Sequence, residues 1–163
     1  MKSLQFLSHS SEETIRFGTA LARRLKPGDI ISLMGELGSG KTTLVKGLAK
    51  GLGIPAREIR SPSFTLLHIH TGRLPLFHFD FYRLEDPQEM NRMGCDEFLY
   101  DEGVSVLEWA DRMGPLLPES SLLIELIHQG KDKRIIRIRD LKGGSRELLR
   151  RVVKTISSKL SLR

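Results

Sequence analysis

The sequence predicts a three-layer α/β domain with a mixed, partly antiparallel central sheet. Three observations carry that reading. A short apolar strand, a glycine-rich loop and an amphipathic helix follow one another over residues 29–52. Strands and helices alternate early in the chain, whereas hairpins dominate later. The length of 163 residues suits one such domain, spanning residues 1–163, and not two.

Residues 4–7 are an edge-strand candidate. Ser10-Ser11-Glu12-Glu13 reads as a capping box, with Ser at the N-cap and Glu three positions later. The helix it opens carries Ile15, Gly18, Leu21, Ala22 and Leu25 on one face and stops at Pro27-Gly28. The apolar run at 30–34 is the first core strand, and Leu44, Val45, Leu48, Ala49 and Leu52 give the next helix its buried stripe. Residues 66–70 and 74–79 form a hairpin across Thr71-Gly72-Arg73. Pro87 starts a short helix, and residues 94–103 are loop or short helix. Residues 104–107 are a buried strand, and 122–127 with 134–138 make a second hairpin. Leu148, Leu149, Val152, Val153, Ile156 and Leu160 mark a terminal amphipathic helix at about 145–161.

The stretch Gly35-Glu36-Leu37-Gly38-Ser39-Gly40-Lys41-Thr42 matches G-x-x-x-x-G-K-[ST], the phosphate-binding loop (P-loop) of NTPases. Glycines let the backbone curl so that successive N–H groups point at a β-phosphate. The following helix turns its N-terminal dipole on the same anion. Lys41 supplies a point charge for the β- and γ-phosphates, and Thr42 a hydroxyl for magnesium. Such a loop also needs a carboxylate from the end of a neighbouring strand. Asp80 and Glu108 both qualify, and spacing does not separate a metal ligand from a group that positions the attacking water. Ser61-Pro62-Ser63-Phe64-Thr65 offers two hydroxyls where a γ-phosphate contact could lie, and Trp109, the single tryptophan, reads more readily as packing than as a nucleotide cover.

Other chemistries are weaker. His68, His70 and His78 lack a cysteine partner and any usual zinc spacing. Asp140-Leu141-Lys142-Gly143 has the letters of a GTPase motif but falls far too late, and no Asn-Lys-x-Asp base reader exists, so ATP is expected over GTP. A small-molecule kinase remains as an alternative, with Arg83 and Arg112 the only candidates for a lid on the transferred phosphate. Cys95 alone allows no internal disulfide, and with no charged leader and no apolar run of membrane length a cytoplasmic protein is expected. The net charge of +6 is uneven: residues 131–163 hold 12 Lys and Arg against 3 Asp and Glu. That basic end calls for an acidic partner, nucleic acid or protein.

Taken in order, the phosphate loop through Thr43, Ser61-Pro62-Ser63-Phe64, His78-Phe79-Asp80-Phe81-Tyr82-Arg83-Leu84 and Leu107-Glu108-Trp109-Ala110-Asp111-Arg112 resemble the bacterial TsaE (YjeE) family. Its members are small ATPases needed for making threonylcarbamoyladenosine in tRNA. The resemblance implies that Gly35 through Thr43 hold ATP, that Thr42 and Glu108 coordinate Mg2+, and that Asp80 acts with Lys41 in hydrolysis. It implies a switch-like role for Ser61 and Ser63, and it brings Trp109 to the nucleotide. Ser63 stands where the family usually has Thr, so the hydroxyl is kept and the methyl lost. Ser11 in the N-terminal turn, and Lys131 or Arg134 on the last hairpin, would also touch the nucleotide. The implied partners are TsaB-like and TsaD-like subunits of a tRNA threonylcarbamoyl-transferase. Transfer-RNA would be reached indirectly, with the basic C-terminal helix as the candidate contact, and no membrane is involved.

Overall fold

The computed structural model describes residues 3–100 and 102–159. Among these residues seven strands form one sheet: β1 (Ser3–Ser8), β2 (Ile30–Met34), β3 (Leu67–His70), β4 (Leu76–Asp80), β5 (Val104–Glu108), β6 (Leu122–His128) and β7 (Arg134–Asp140). Their order is β1-β7-β6-β2-β5-β4-β3. The central four, β6, β2, β5 and β4, pair in parallel, whereas β1, β7 and β3 join antiparallel at the flanks. The predicted mixed sheet is therefore present. Strands β4 and β5 are buried at every position, as parallel strands covered on both faces must be. Strand β7 alternates instead: Arg134, Ile136 and Ile138 are buried, and the residues between them are partly exposed.

One face of the sheet carries helices α1 (Ser11–Ala22), α2 (Lys41–Gly51) and α5 (Arg146–Lys159). Their apolar stripes close over Ile31, Leu33, Val104, Val106, Ile124 and Ile136. The stripe expected of α1 is shifted in one respect. Phe17 and Thr14 are fully buried and Ile15 only partly, because α1 lays Phe17 on Phe6 of β1, ring centroids 5.4 Å apart. Ser10 caps α1 by accepting from the Glu13 N–H at 3.1 Å. Glu13 completes the exchange one residue early, accepting from the His9 N–H at 2.8 Å rather than from Ser10 itself. Helices α1 and α2 cross in contact. A side-chain carbon on Gly47 would overlap the Ile15 carbonyl and lie 3.0 Å from the Gly18 Cα.

The opposite face is covered by α3 (Gln88–Arg92), α4 (Asp96–Leu99) and the 3-10 segment Ala110–Leu116. These enclose Phe77, Phe79, Phe81, Leu107 and Met113. Elements this short have no helical period to read, which is why residues 94–103 were ambiguous in sequence. Cys95 belongs to this core, and burial pushes its thiol pKa up. Beyond the cover, the outer face of β6 and β7 carries Glu125 and Arg137, paired at 3.0 Å.

Helix α5 is described to Lys159, so residues 160–161 of the predicted helix, and Leu160 of its stripe, lie outside the described residues. It buries Leu148, Val152 and Ile156 against the first core. Arg151 ties the helix to the entrance of β2: its guanidinium donates to both Asp29 carboxylate oxygens at 2.8 and 2.9 Å, and this pairing raises its pKa. Replacing Arg151 by Ala is expected to lower unfolding free energy by about 1–3 kcal/mol. Urea denaturation measures it, and an unchanged midpoint would show the pair to be dispensable. No helix among the described residues is long and apolar enough to cross a membrane.

Strand polarity delivers several segments to one edge. The carboxyl ends of parallel β2, β4 and β5 lie together, so the loop after Met34, Asp80 and Glu108 share that edge. The antiparallel flanks bring the start of β7, the end of β1 with the turn into α1, and the approach to β3 to the same side.

Candidate functional site

At that edge lies a cleft of about 490 Å³. Its wall includes Ser11, Leu37, Gly38, Gly40, Lys41, Thr42, Thr43, Ser61, Ser63, Asp80, Glu108, Trp109 and Arg134. These residues are scattered through most of the chain, and the topology gathers them. Gly35, Glu36 and Ser39, also expected at the site, form the loop behind this wall without lining it. Lys131 stays away at the exposed hairpin tip, where its carbonyl accepts from His128 at 2.9 Å. Of the two basic residues expected on that hairpin, the strand register brings only Arg134 inward, on the face shared with Ile136 and Ile138.

Gly40, which precedes α2, has φ 103°, and a side-chain carbon there would overlap the Arg134 guanidinium. Arg134 is thereby laid across the head of α2, 6% exposed. Lys41, 5% exposed, curls back over the loop. Its ammonium donates to the carbonyls of Gly35 at 2.5 Å and Glu36 at 2.8 Å and sits 3.9 Å above the Trp109 ring. Burial lowers the Lys41 pKa, opposed by the charges of Glu108, Asp111 and Asp80. Trp109 has a left-handed backbone, φ 56°. It packs against the second core and also faces the cleft, where Tyr82 meets it at 4.9 Å between centroids. The residue thus both packs against the second core and lines the cleft.

Asp80 and Glu108 are register partners on neighbouring strands. Their surroundings differ. The Thr42 hydroxyl lies 3.0 and 3.1 Å from the two Glu108 carboxylate oxygens. Asp80 accepts from the hydroxyls of Ser61 and Ser63 on one oxygen and from the Tyr82 N–H at 2.8 Å on the other. The 61–63 segment is thus drawn onto Asp80, not onto Glu108. The hydroxyl and carboxylate oxygens of Thr42 and Glu108 are hard donors of the class that magnesium takes, and they converge beside Lys41 on the cleft wall. The donor set fits such an ion.

Tyr82 on the cleft wall and His78 behind it were not assigned to the nucleotide site from sequence, and Arg83 was named only as a candidate for a kinase lid. Tyr82 and Arg83 line the wall, with the Arg83 guanidinium 4.2 Å from the exposed Phe64 ring. His78, fully buried, approaches Glu108 Oε1 with Nε2 at 2.7 Å. Alternation along β4 places His78 on the face of Asp80, but only the pairing of β4 with β5 shows that it meets Glu108.

The family profile described as "Threonylcarbamoyl adenosine biosynthesis protein TsaE" matches residues 8–136, which include every residue of this cleft. The chain belongs to the TsaE family. Proteins named tRNA threonylcarbamoyladenosine biosynthesis protein TsaE share its sequence. That of Treponema pallidum is 45% identical over 76% of this chain and 90% of its own length. That of Bacillus subtilis is 42% identical over 83% and 85%. The crystal structure of Bacillus subtilis YdiB superposes with a TM-score of 0.77 at 34% identity, covering 94% of this chain and 95% of the other. The P-loop NTPase-like fold of this TsaE-family chain is thus shared with a solved relative, and the segments quoted for the resemblance lie inside the matched region.

Proposed function

We propose that this chain binds ATP with magnesium and hydrolyses it in support of the threonylcarbamoyl-transferase that modifies the adenosine next to the tRNA anticodon. The observation that carries the reading is the convergence of Thr42 and Glu108 at 3.0 Å beside Lys41 and the curled loop. The TsaE names of the relatives supply the pathway.

Each residue has a task in this reading. Loop amides and the head of α2 take the β-phosphate, and the Lys41 ammonium exchanges its two carbonyl partners for phosphate oxygens. Magnesium, when bound, would neutralise charge on the β- and γ-phosphate oxygens, held by Thr42 and Glu108. Arg134 adds a second cation across the head of α2. Ser61 and Ser63 turn their hydroxyls from Asp80 to the γ-phosphate, which frees the Asp80 oxygen they occupied. That oxygen then accepts the proton of the attacking water, while the Tyr82 amide holds the other oxygen in place. TsaB-like and TsaD-like subunits bind the loaded chain and complete the site, so hydrolysis is slow alone.

The test is phosphate release by the purified chain, with and without those subunits. Stimulation by the partners is expected. Asp80→Asn should lower turnover about 100-fold or more, with ATP affinity retained within a few-fold. Arg83 on the cleft wall is the one feature that favours a small-molecule kinase. Partner-independent transfer of labelled phosphate to a metabolite would establish that alternative and refute the ATPase reading.

A further inference from the structure

His78 does not touch the cleft, and no step above uses it. It lies on β4 two residues before Asp80, opposite Val106 in register and therefore diagonal to Glu108. Both partners are out of solvent: His78 is 0% exposed and Glu108 2%. Nε2 stands 2.7 Å from Glu108 Oε1, and Nδ1 has no hydrogen-bond partner among the described residues. A carboxylate oxygen only accepts, so the bond requires the ring proton on Nε2. The tautomer leaves Nδ1 as a bare acceptor, a smaller penalty than an orphaned N–H.

A buried carboxylate needs donors, and the identity of the donor matters. Lysine or arginine at this place would cancel the charge that a metal ion needs. An imidazole in the Nε2–H tautomer brings no charge, yet its ring is rigid and locked in the strand's packing. It holds one oxygen of Glu108 and so sets the plane of the carboxylate. The other oxygen, Oε2, has no bond to His78, and the Thr42 hydroxyl on the cleft wall lies 3.0 Å from Oε1 and 3.1 Å from Oε2.

We propose that His78 is a positioning residue that orients Glu108 for a divalent cation. It acts through the carboxylate and touches neither metal nor nucleotide. The inference rests on the magnesium–ATP reading given above. Partners of this kind, standing behind a ligand, typically change metal affinity by about 10–100-fold when removed.

Three proteins test it: the wild type, His78→Leu, which keeps bulk and loses the donor, and His78→Gln, whose side-chain amide can donate from a similar place. The metal is read directly as the apparent Mn2+ dissociation constant of the ADP-bound protein, from loss of the free Mn2+ paramagnetic resonance signal. ADP grips the metal less than ATP does, so protein ligands weigh more. Nucleotide affinity in EDTA is read in parallel from Trp109 fluorescence, and thermal midpoints report the fold. His78→Leu is expected to raise the Mn2+ constant about 10–100-fold while metal-free ADP affinity stays within twofold, and His78→Gln to recover most of the loss. An unchanged Mn2+ constant in His78→Leu overturns the proposal. So does an equal fall of metal-free affinity and thermal midpoint in both variants, which marks a purely structural histidine. If the wild type itself takes up neither ADP nor Mn2+, the nucleotide reading fails first and this inference falls with it.

Discussion

Lys41→Ala is expected to weaken ATP binding by more than 100-fold. The ammonium is prepositioned: two loop carbonyls hold it at 2.5 and 2.8 Å, and the Trp109 ring lies beneath it at 3.9 Å. Its closest contacts are carbonyls and a ring face, so the positive charge is free to meet an incoming polyanion. Burial lowers its pKa, and a phosphate would counter that effect. Charge-assisted hydrogen bonds are each worth about 1.5–3 kcal/mol, and two phosphates lose theirs together, giving about 3 kcal/mol or more. Arginine should not substitute, because its planar fork does not fit where a compact ammonium is enclosed by loop carbonyls. Trp109 is the only tryptophan and lines the cleft, so its fluorescence during ATP titration reports binding. A change below about fivefold would place the triphosphate elsewhere.

The largest effect on stability is expected at Phe17→Ala, about 3–5 kcal/mol. Phe17 is 0% exposed, stacks on Phe6 at an interplanar angle of 18°, and belongs to the core that joins α1, α2 and the sheet. Truncation leaves a cavity bounded by two helices that already touch at Gly18 and Gly47, so collapse around it is resisted. For a chain of this size the midpoint should fall by about 10 °C. Arg16→Ala, at the exposed neighbouring position, should stay within about 0.5 kcal/mol. Chemical denaturation of both checks this, and a loss under about 1 kcal/mol for Phe17→Ala would mean that α1 does not depend on that ring.

Phe17 also shows where sequence reading stopped. Helical spacing placed Ile15, Gly18, Leu21, Ala22 and Leu25 on one stripe. The observed stripe is rotated toward Thr14 and Phe17, because Phe17 stacks on Phe6 of β1. Periodicity gives a face but not its exact azimuth, which tertiary contacts set. The histidines make the same point. Residue type raised a zinc question over His68, His70 and His78 that their spacing did not support, whereas strand pairing turns His78 to a carboxylate from another strand. Lys131 and Arg134 were equivalent in sequence. The β6–β7 register separated them, leaving one at the hairpin tip and turning the other toward Gly40.

What the sequence by itself determined was the local chemistry: the loop from Gly35 to Thr42, its strand and helix, and the acid at each strand end. Those depend on covalent neighbours, on glycines such as Gly40 that accept φ 103°, and on a helix head whose amides have no partners of their own. Which acid faces Thr42 and which faces the Ser61–Ser63 hydroxyls was decided only in three dimensions. Strand order and register are non-local quantities, set by burying both faces of β4 and β5, and no spacing along the chain encodes them.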